Sequence, residues 1–144
     1  MKSLLNKCKK YFKANGLRFT PQREELLKTI FTVSTHFDVD FLHSQLKEKG
    51  VKVSKATIYR AIPLMKDCGV INDVTRIDNK DYYEFAYNRQ HHDHMICTNC
   101  GSIIEFHNEK IEELQHYICD EHNFFPETHQ LIIRGLCEKC RSKQ

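Results

Sequence analysis

Two Cys-x-x-Cys pairs, Cys97-Thr98-Asn99-Cys100 and Cys137-Glu138-Lys139-Cys140, carry the strongest chemical signal in the chain. Together they supply four thiolates, a donor set that suits tetrahedral zinc and leaves no open coordination position. A closed site of this kind is structural and adds folding free energy directly. The competing reading of the same spacing is a pair of redox dithiols. The second signal is His91-His92-Asp93-His94. On an extended segment alternate side chains point to opposite sides, so His92 and His94 share one face and His91 and Asp93 the other. Two separate nitrogen/oxygen metal sites using one strand are therefore expected, with ligands that suit Fe(II), Mn(II), Zn(II) or Co(II).

These residues crowd one end of the chain. Five of the seven Cys and seven of the nine His follow residue 90. Charge is divided the other way. Residues 1–60 hold thirteen Lys/Arg against five Asp/Glu, a net of +8, and residues 61–144 carry −5, which gives the overall +3. Such asymmetry between halves points to nucleic-acid contact by the basic part. A 40% hydrophobic, 28% charged composition is that of a folded protein. No apolar run reaches the length of a membrane span, and the first ten residues carry charge too early for a secretory signal. A cytoplasmic protein is expected. With an odd number of Cys and no export signal, metal binding is a better reading than disulfides.

The elements that must position these groups form two modules. Leu4, Leu5, Cys8, Tyr11 and Phe12 recur at helical spacing up to the stop at Asn15-Gly16. Thr20-Pro21 opens a second helix carrying Leu26, Leu27, Ile30 and Phe31. Asp38 caps a third that ends at Gly50, and Ser54 a fourth that ends by Gly69. Val70 to Arg76 and Tyr82 to Tyr87 then read as two strands, with turn chemistry at Asp78-Asn79-Lys80. Helices followed by a hairpin, with basic residues on the helices, make a winged-helix pattern. A polar break at 88–92 reads as a hinge. Beyond it, strands at Met95-Ile96, Ile103 to Phe106 and Leu131 to Ile133 surround a helix capped by Asn108, whose apolar face holds Ile111, Leu114, Ile118 and Cys119. The expected fold is α+β: a winged-helix domain over 1–87 and a small α/β domain over 93–144. Cys8 and Cys119 are expected to be buried, and His43, His107, His116 and His122 to be surface or packing residues. Pro63, inside the fourth helix, removes a backbone hydrogen bond and is expected to bend the helix or end it early.

Gly16-Leu17-Arg18-Phe19-Thr20-Pro21-Gln22-Arg23, Ala56-Thr57-Ile58-Tyr59-Arg60 and the run from His91 to Phe106 closely resemble the ferric uptake regulator family. The likeness runs from about residue 4 to Cys140. It implies a dimeric, metal-dependent transcriptional repressor, with the winged helix binding operator DNA and the second domain dimerising. It also sorts the ligands. Cys97, Cys100, Cys137 and Cys140 match the structural zinc site. His36, Glu84, His92, His94 and Glu105 match a regulatory site at the hinge, for Fe(II) with Mn(II) or Zn(II) as substitutes. His91, Asp93, Glu112 and His129 match a third site. Arg18, Arg23, Lys55, Thr57, Tyr59 and Arg60 are the implied DNA contacts. Both hinge carboxylates being Glu resembles the iron sensors, since peroxide sensors of the family tend to carry Asp there. A peroxide-responsive repressor is the alternative, and a zinc uptake regulator, which usually has a Cys at this site, is a weaker one. No HExxH, nucleophile elbow or phosphate-cradling loop is present, so an enzyme is not expected.

Overall fold

The computed structural model describes residues 1–143. The chain divides into two compact units, Met1–Arg89 and Gln90–Gln144.

The first unit is four helices and a hairpin: α1 (Lys2–Ala14), α2 (Pro21–Thr32), α3 (Val39–Glu48), α4 (Lys55–Asp67), β1 (Ile71–Ile77) and β2 (Lys80–Phe85). Short polar side chains set the helix starts. Thr20 accepts from the Arg23 amide ahead of Pro21, Asp38 from Phe41 at 2.7 Å and Ser54 from Thr57 at 3.2 Å. Each such cap satisfies a backbone donor that the first turn leaves without a helical partner. The hairpin is antiparallel, and Asp78 and Asn79 both sit at positive φ, the conformation a tight two-residue turn demands. Leu4, Phe12, Leu27, Ile30, Phe37, Leu42, Leu46, Ile58 and Met65 close a continuous core in which all four helices take part. This is the winged helix anticipated from the pattern.

Pro63 does not end α4. The helix continues to Asp67 because Ile62 and Met65, on either side of the proline, are both buried, which outweighs the lost hydrogen bond. Cys8 and Cys68 both lie in the core, their thiols against one another.

In the second unit, β3 (Asp93–Cys97) is the middle strand of a three-stranded sheet. It pairs antiparallel with β4 (Ile103–Phe106) and parallel with β5 (Ile132–Gly135). Between them runs α5 (Glu109–Glu121), capped by Asn108 on the Lys110 and Ile111 amides, and a final turn of helix, α6 (Glu138–Arg141), holds the last Cys pair. Cys119 departs from expectation: it is only half-buried, because α5 buries none of its residues within the single chain. Leu114, Tyr117 and Ile118 are all more than 45% exposed, so the apolar stripe of α5 faces outward. Among the described residues, no helix is long and apolar enough to cross a membrane.

Candidate metal centres

The four cysteines converge. Their sulfurs all lie within 4.8 Å of one another, and Cys100 Sγ is 3.8 Å from Cys137 Sγ. Zn–S bonds of about 2.3 Å in a tetrahedron give sulfur separations of about 3.8 Å, so the donor set fits zinc. Local backbone geometry explains the convergence. The first pair sits where β3 ends in a tight turn, closed by the Gly101 amide on the Cys97 carbonyl at 2.9 Å, with Gly101 at φ 72°. The Thr98 amide donates to the Gly135 carbonyl at 2.8 Å, which ties that turn to the end of β5, two residues before Cys137.

Hydrogen bonds to sulfur split the titration of the four thiols. The Cys137 amide donates to Cys97 Sγ at 3.3 Å and, with the Cys100 amide, holds Cys97 down to about 6. The Ser102 hydroxyl beside Cys100 holds that thiol below its ordinary value. Asn99 Nδ2 donates to Cys140 Sγ at 3.2 Å and lowers it, but crowding by the Cys137 thiol together with burial leaves Cys140 at about 11. Asn99 and Ser102 are functional neighbours that sequence reading missed. Their position inside or just after a Cys-x-x-Cys turn was the available signal.

Alternation along the segment from His91 into β3 separates the histidines as expected. His92 and His94 stack edge-on with ring centroids 5.0 Å apart, and His92 Nε2 is 3.9 Å from Glu105 Oε2. Glu105 reaches this face because it is the antiparallel partner of His94. His94 is buried, and the Gln90 carbonyl lies 2.9 Å from His92 Nδ1, which orients that ring. On the other face His91 Nε2 is 3.3 Å from Asp93 Oδ1 and 3.4 Å from Glu112 Oε1, and His129 Nε2 is 3.3 Å from Glu112 Oε2. Asp93 Oδ1 also accepts from the Leu131 amide at 3.3 Å, anchoring the segment that carries His129. Asp93 Oδ2 and Glu112 Oε1 are buried with no hydrogen-bond partner. A buried carboxylate oxygen left in that state is costly, and a cation removes the cost, so this donor set fits a divalent metal.

In the first unit, His36 and Glu84 come from a loop and from β2. A two-residue ladder joins them: the Phe37 amide donates to the Tyr83 carbonyl at 2.9 Å and the Tyr83 amide to Phe37 at 2.8 Å. The ladder brings His36 Nε2 within 3.7 Å of Glu84 Oε2, with the Glu84 side chain 6% exposed. Arg89 Nη1 lies 3.8 Å from the same oxygen, a neighbour the sequence reading did not single out.

The expected DNA contacts all lie in the first unit and differ in availability. Tyr59 is 56% exposed on α4 and Arg60 is exposed beside it, its guanidinium 3.5 Å from the Thr57 hydroxyl. Arg18 is exposed after α1. Arg23 turns inward, donating to the Arg18 carbonyl at 2.5 Å and lying over the Phe12 ring. Lys55 is held by Asp40 at 2.6 Å, and Lys80 binds the same carboxylate at 2.7 Å.

A family model described as the ferric uptake regulator family matches residues 14–134. The ferric uptake regulation protein of Campylobacter jejuni is 38% identical over 143 residues, 98% of this chain and 90% of that protein. The peroxide-responsive repressor PerR of Staphylococcus saprophyticus is 32% identical over 129 residues, 90% of this chain and 86% of that protein. Among solved structures, the Helicobacter pylori ferric uptake regulator, described as revealing three functional metal-binding sites, superposes with a TM-score of 0.86 at 27% identity, covering 97% of this chain and 93% of that one.

Proposed function

Because the chain belongs to the ferric uptake regulator family of metal-responsive regulators, we propose that it is a dimeric, Fe(II)-responsive repressor that binds operator DNA in the cytoplasm. In this reading His36 and Glu84 of the first unit and His92, His94 and Glu105 of the second share one regulatory metal. Cys97, Cys100, Cys137 and Cys140 hold zinc, and His91, Asp93, Glu112 and His129 hold a third ion. The observation that carries the reading is that each unit presents part of a nitrogen/oxygen ligand set: the His36–Glu84 pair at 3.7 Å and the His92–Glu105 pair at 3.9 Å beside His94.

Bound metal supplies divalent charge and a fixed coordination geometry. The residues do the rest. Ligands drawn from two units bind well only in one relative orientation of those units, so occupancy selects that orientation in proportion to its differential affinity. In a two-fold dimer the selected orientation sets the separation of the two α4 helices, which must match successive major-groove faces. The outward apolar stripe of α5, with Leu114, Tyr117 and Ile118, supports burial against a second copy. In this reading Tyr59 and Arg60 contact base edges, and Arg18 an adjacent minor groove.

The test is anaerobic binding to a promoter-derived duplex library with Fe(II), Mn(II), Zn(II) or chelator, on wild type and on His94→Ala. Fe(II)-dependent binding is expected, with the variant weakened by at least the roughly 10–100-fold that losing even an outer-shell partner of a metal ligand costs. Full metal-dependent binding by His94→Ala refutes the shared site. The similarity to PerR favours one second reading, a peroxide-responsive repressor. A 16 Da gain on His36 or His92 after micromolar peroxide, with loss of DNA binding, would establish it in place of iron sensing.

A further inference from the structure

Pro63 breaks a local rule without a packing reason. Proline inside a helix lacks the amide that would donate to the carbonyl four residues back, here Tyr59, and its ring crowds the preceding turn, which costs stability. Where a core position demands that shape, burial can offset the cost. Pro63 is exposed. The inward face of α4 is made by Ile58, Ala61, Ile62 and Met65, and Pro63 lies opposite it. At 3.6 residues per turn the ring falls in the middle of the outward stripe, one turn beyond Tyr59 and Arg60 and two beyond Ala56. Rules broken at exposed positions are most informative where they fall on a working surface.

Around it, the side chains of the last turn of α4 are already engaged. Lys66 is ion-paired with Asp73, and the Asp67 carboxylate accepts from the Tyr11 hydroxyl at 3.2 Å. Past Arg60, the centre of the outward stripe is therefore an apolar ring, flanked by a lysine and an aspartate that already have partners. In a major groove, a surface of that kind distinguishes one group among the base edges, the 5-methyl of thymine.

We propose that Pro63 is a specificity-determining residue that reads a thymine methyl in each half-site of the operator. The inference rests on α4 being the recognition helix. Ala56, small and on the same stripe, leaves the groove floor accessible, so Pro63 contributes by contact and by excluding water from the methyl.

The experiment selects duplexes from a randomised pool with the full-length, metal-loaded protein. Each selected thymine is then replaced by deoxyuridine, which removes only the methyl. For wild type, one thymine per half-site is expected to lose about fourfold in affinity on replacement, the effect of one buried methyl. Pro63→Val, which keeps an apolar side chain and restores the backbone amide, is expected to retain that loss. Pro63→Asn is expected to abolish it. Helicity and zinc content, measured alongside, confirm that the variants are folded. If no thymine shows a penalty, if the penalty is unchanged in Pro63→Asn, or if it vanishes equally in Pro63→Val, the proposal is overturned; the last result assigns the effect to the backbone. If wild type selects no sequence with any metal, the recognition-helix reading itself fails, and the proposal with it.

Discussion

Removing the metal from the cysteine cluster is expected to unfold the second unit while leaving the first intact. The reasoning compares what each unit buries. Among the described residues, nineteen buried hydrophobic side chains lie in the first unit, from Leu4 to Tyr83, and three in the second: Ile96, Cys97 and Cys140. Two of those three are members of the thiol cluster, which leaves Ile96 as the one ordinary hydrophobe. Burying an isoleucine contributes about 1.5–3 kcal/mol, whereas structural zinc on thiolate ligands contributes on the order of 10–16 kcal/mol at neutral pH. The second figure is as large as the whole stability of a typical domain, about 5–15 kcal/mol. Hydrogen exchange at a fixed protomer concentration, before and after stripping with a strong chelator, reads the two units separately. Amides of β3 and β5, including Thr98 on the Gly135 carbonyl, are expected to lose protection by several orders of magnitude. Those of α2 and α4 are expected to change by less than threefold. Equal protection of β3 in stripped and zinc-loaded protein would falsify the argument, since it would mean that burial outside the cysteine cluster holds the sheet without zinc.

Three further outcomes are expected. Asp40, held down to about 2 by Lys55 and then Lys80, stabilises the fold above its ordinary pKa of 3.8 and loses that contribution as pH falls through about 2. Asp40→Asn should therefore lower Tm at pH 7 and leave it unchanged near pH 2; the same substitution frees Lys55, raising DNA affinity at low salt and steepening the log–log salt dependence by about one. An unchanged salt slope would show that Lys55 meets no phosphate. Burial raises the Cys8 thiol and takes Cys68 to about 12, so iodoacetamide at pH 8 should label neither in folded protein and both in urea; rapid native labelling would contradict the packed α1–α4 contact. Asp93→Asn should lower metal stoichiometry by one ion per chain and raise the stability of the metal-free protein, because it removes a buried carboxylate charge that the ion would otherwise balance; an unchanged stoichiometry would remove the third site.

Features governed by chain-local geometry were legible in the sequence. The caps at Thr20, Asp38, Ser54 and Asn108, the turn at Asp78-Asn79 and the separation of His92 and His94 from His91 and Asp93 all follow from spacing within a few residues. The zinc cluster was legible for a related reason: each Cys-x-x-Cys pair is a local unit, and two units suffice. His36 and Glu84 were different. Forty-eight residues separate them, and what unites them is the backbone ladder between Phe37 and Tyr83, for which no spacing rule exists; family likeness supplied them. The run of α4 through Pro63 to Asp67 agrees with an end by Gly69 and not with an early stop at the proline, since propensity counts a lost hydrogen bond but not the burial of Ile62 and Met65.

Asp40 makes the same point about charge. A net of +8 over residues 1–60 suggests a surface uniformly attractive to phosphate, yet the fold spends Lys55 on Asp40, Lys9 and Lys28 on Glu24, and the Arg23 guanidinium on the Arg18 carbonyl. Exposed pairs of this kind contribute little stability. Their larger effect is on where positive charge remains. In this unit Arg60 on α4 and Arg18 in the loop after α1 stay exposed, together with lysines such as Lys2, Lys10, Lys13, Lys47 and Lys52. A surface on which part of the positive charge is held by neighbouring carboxylates attracts nucleic acid less strongly than its number of basic residues implies, and so leaves more of the binding free energy to base contacts. Specific binding by this protein should accordingly fall less steeply with salt than thirteen basic residues would suggest.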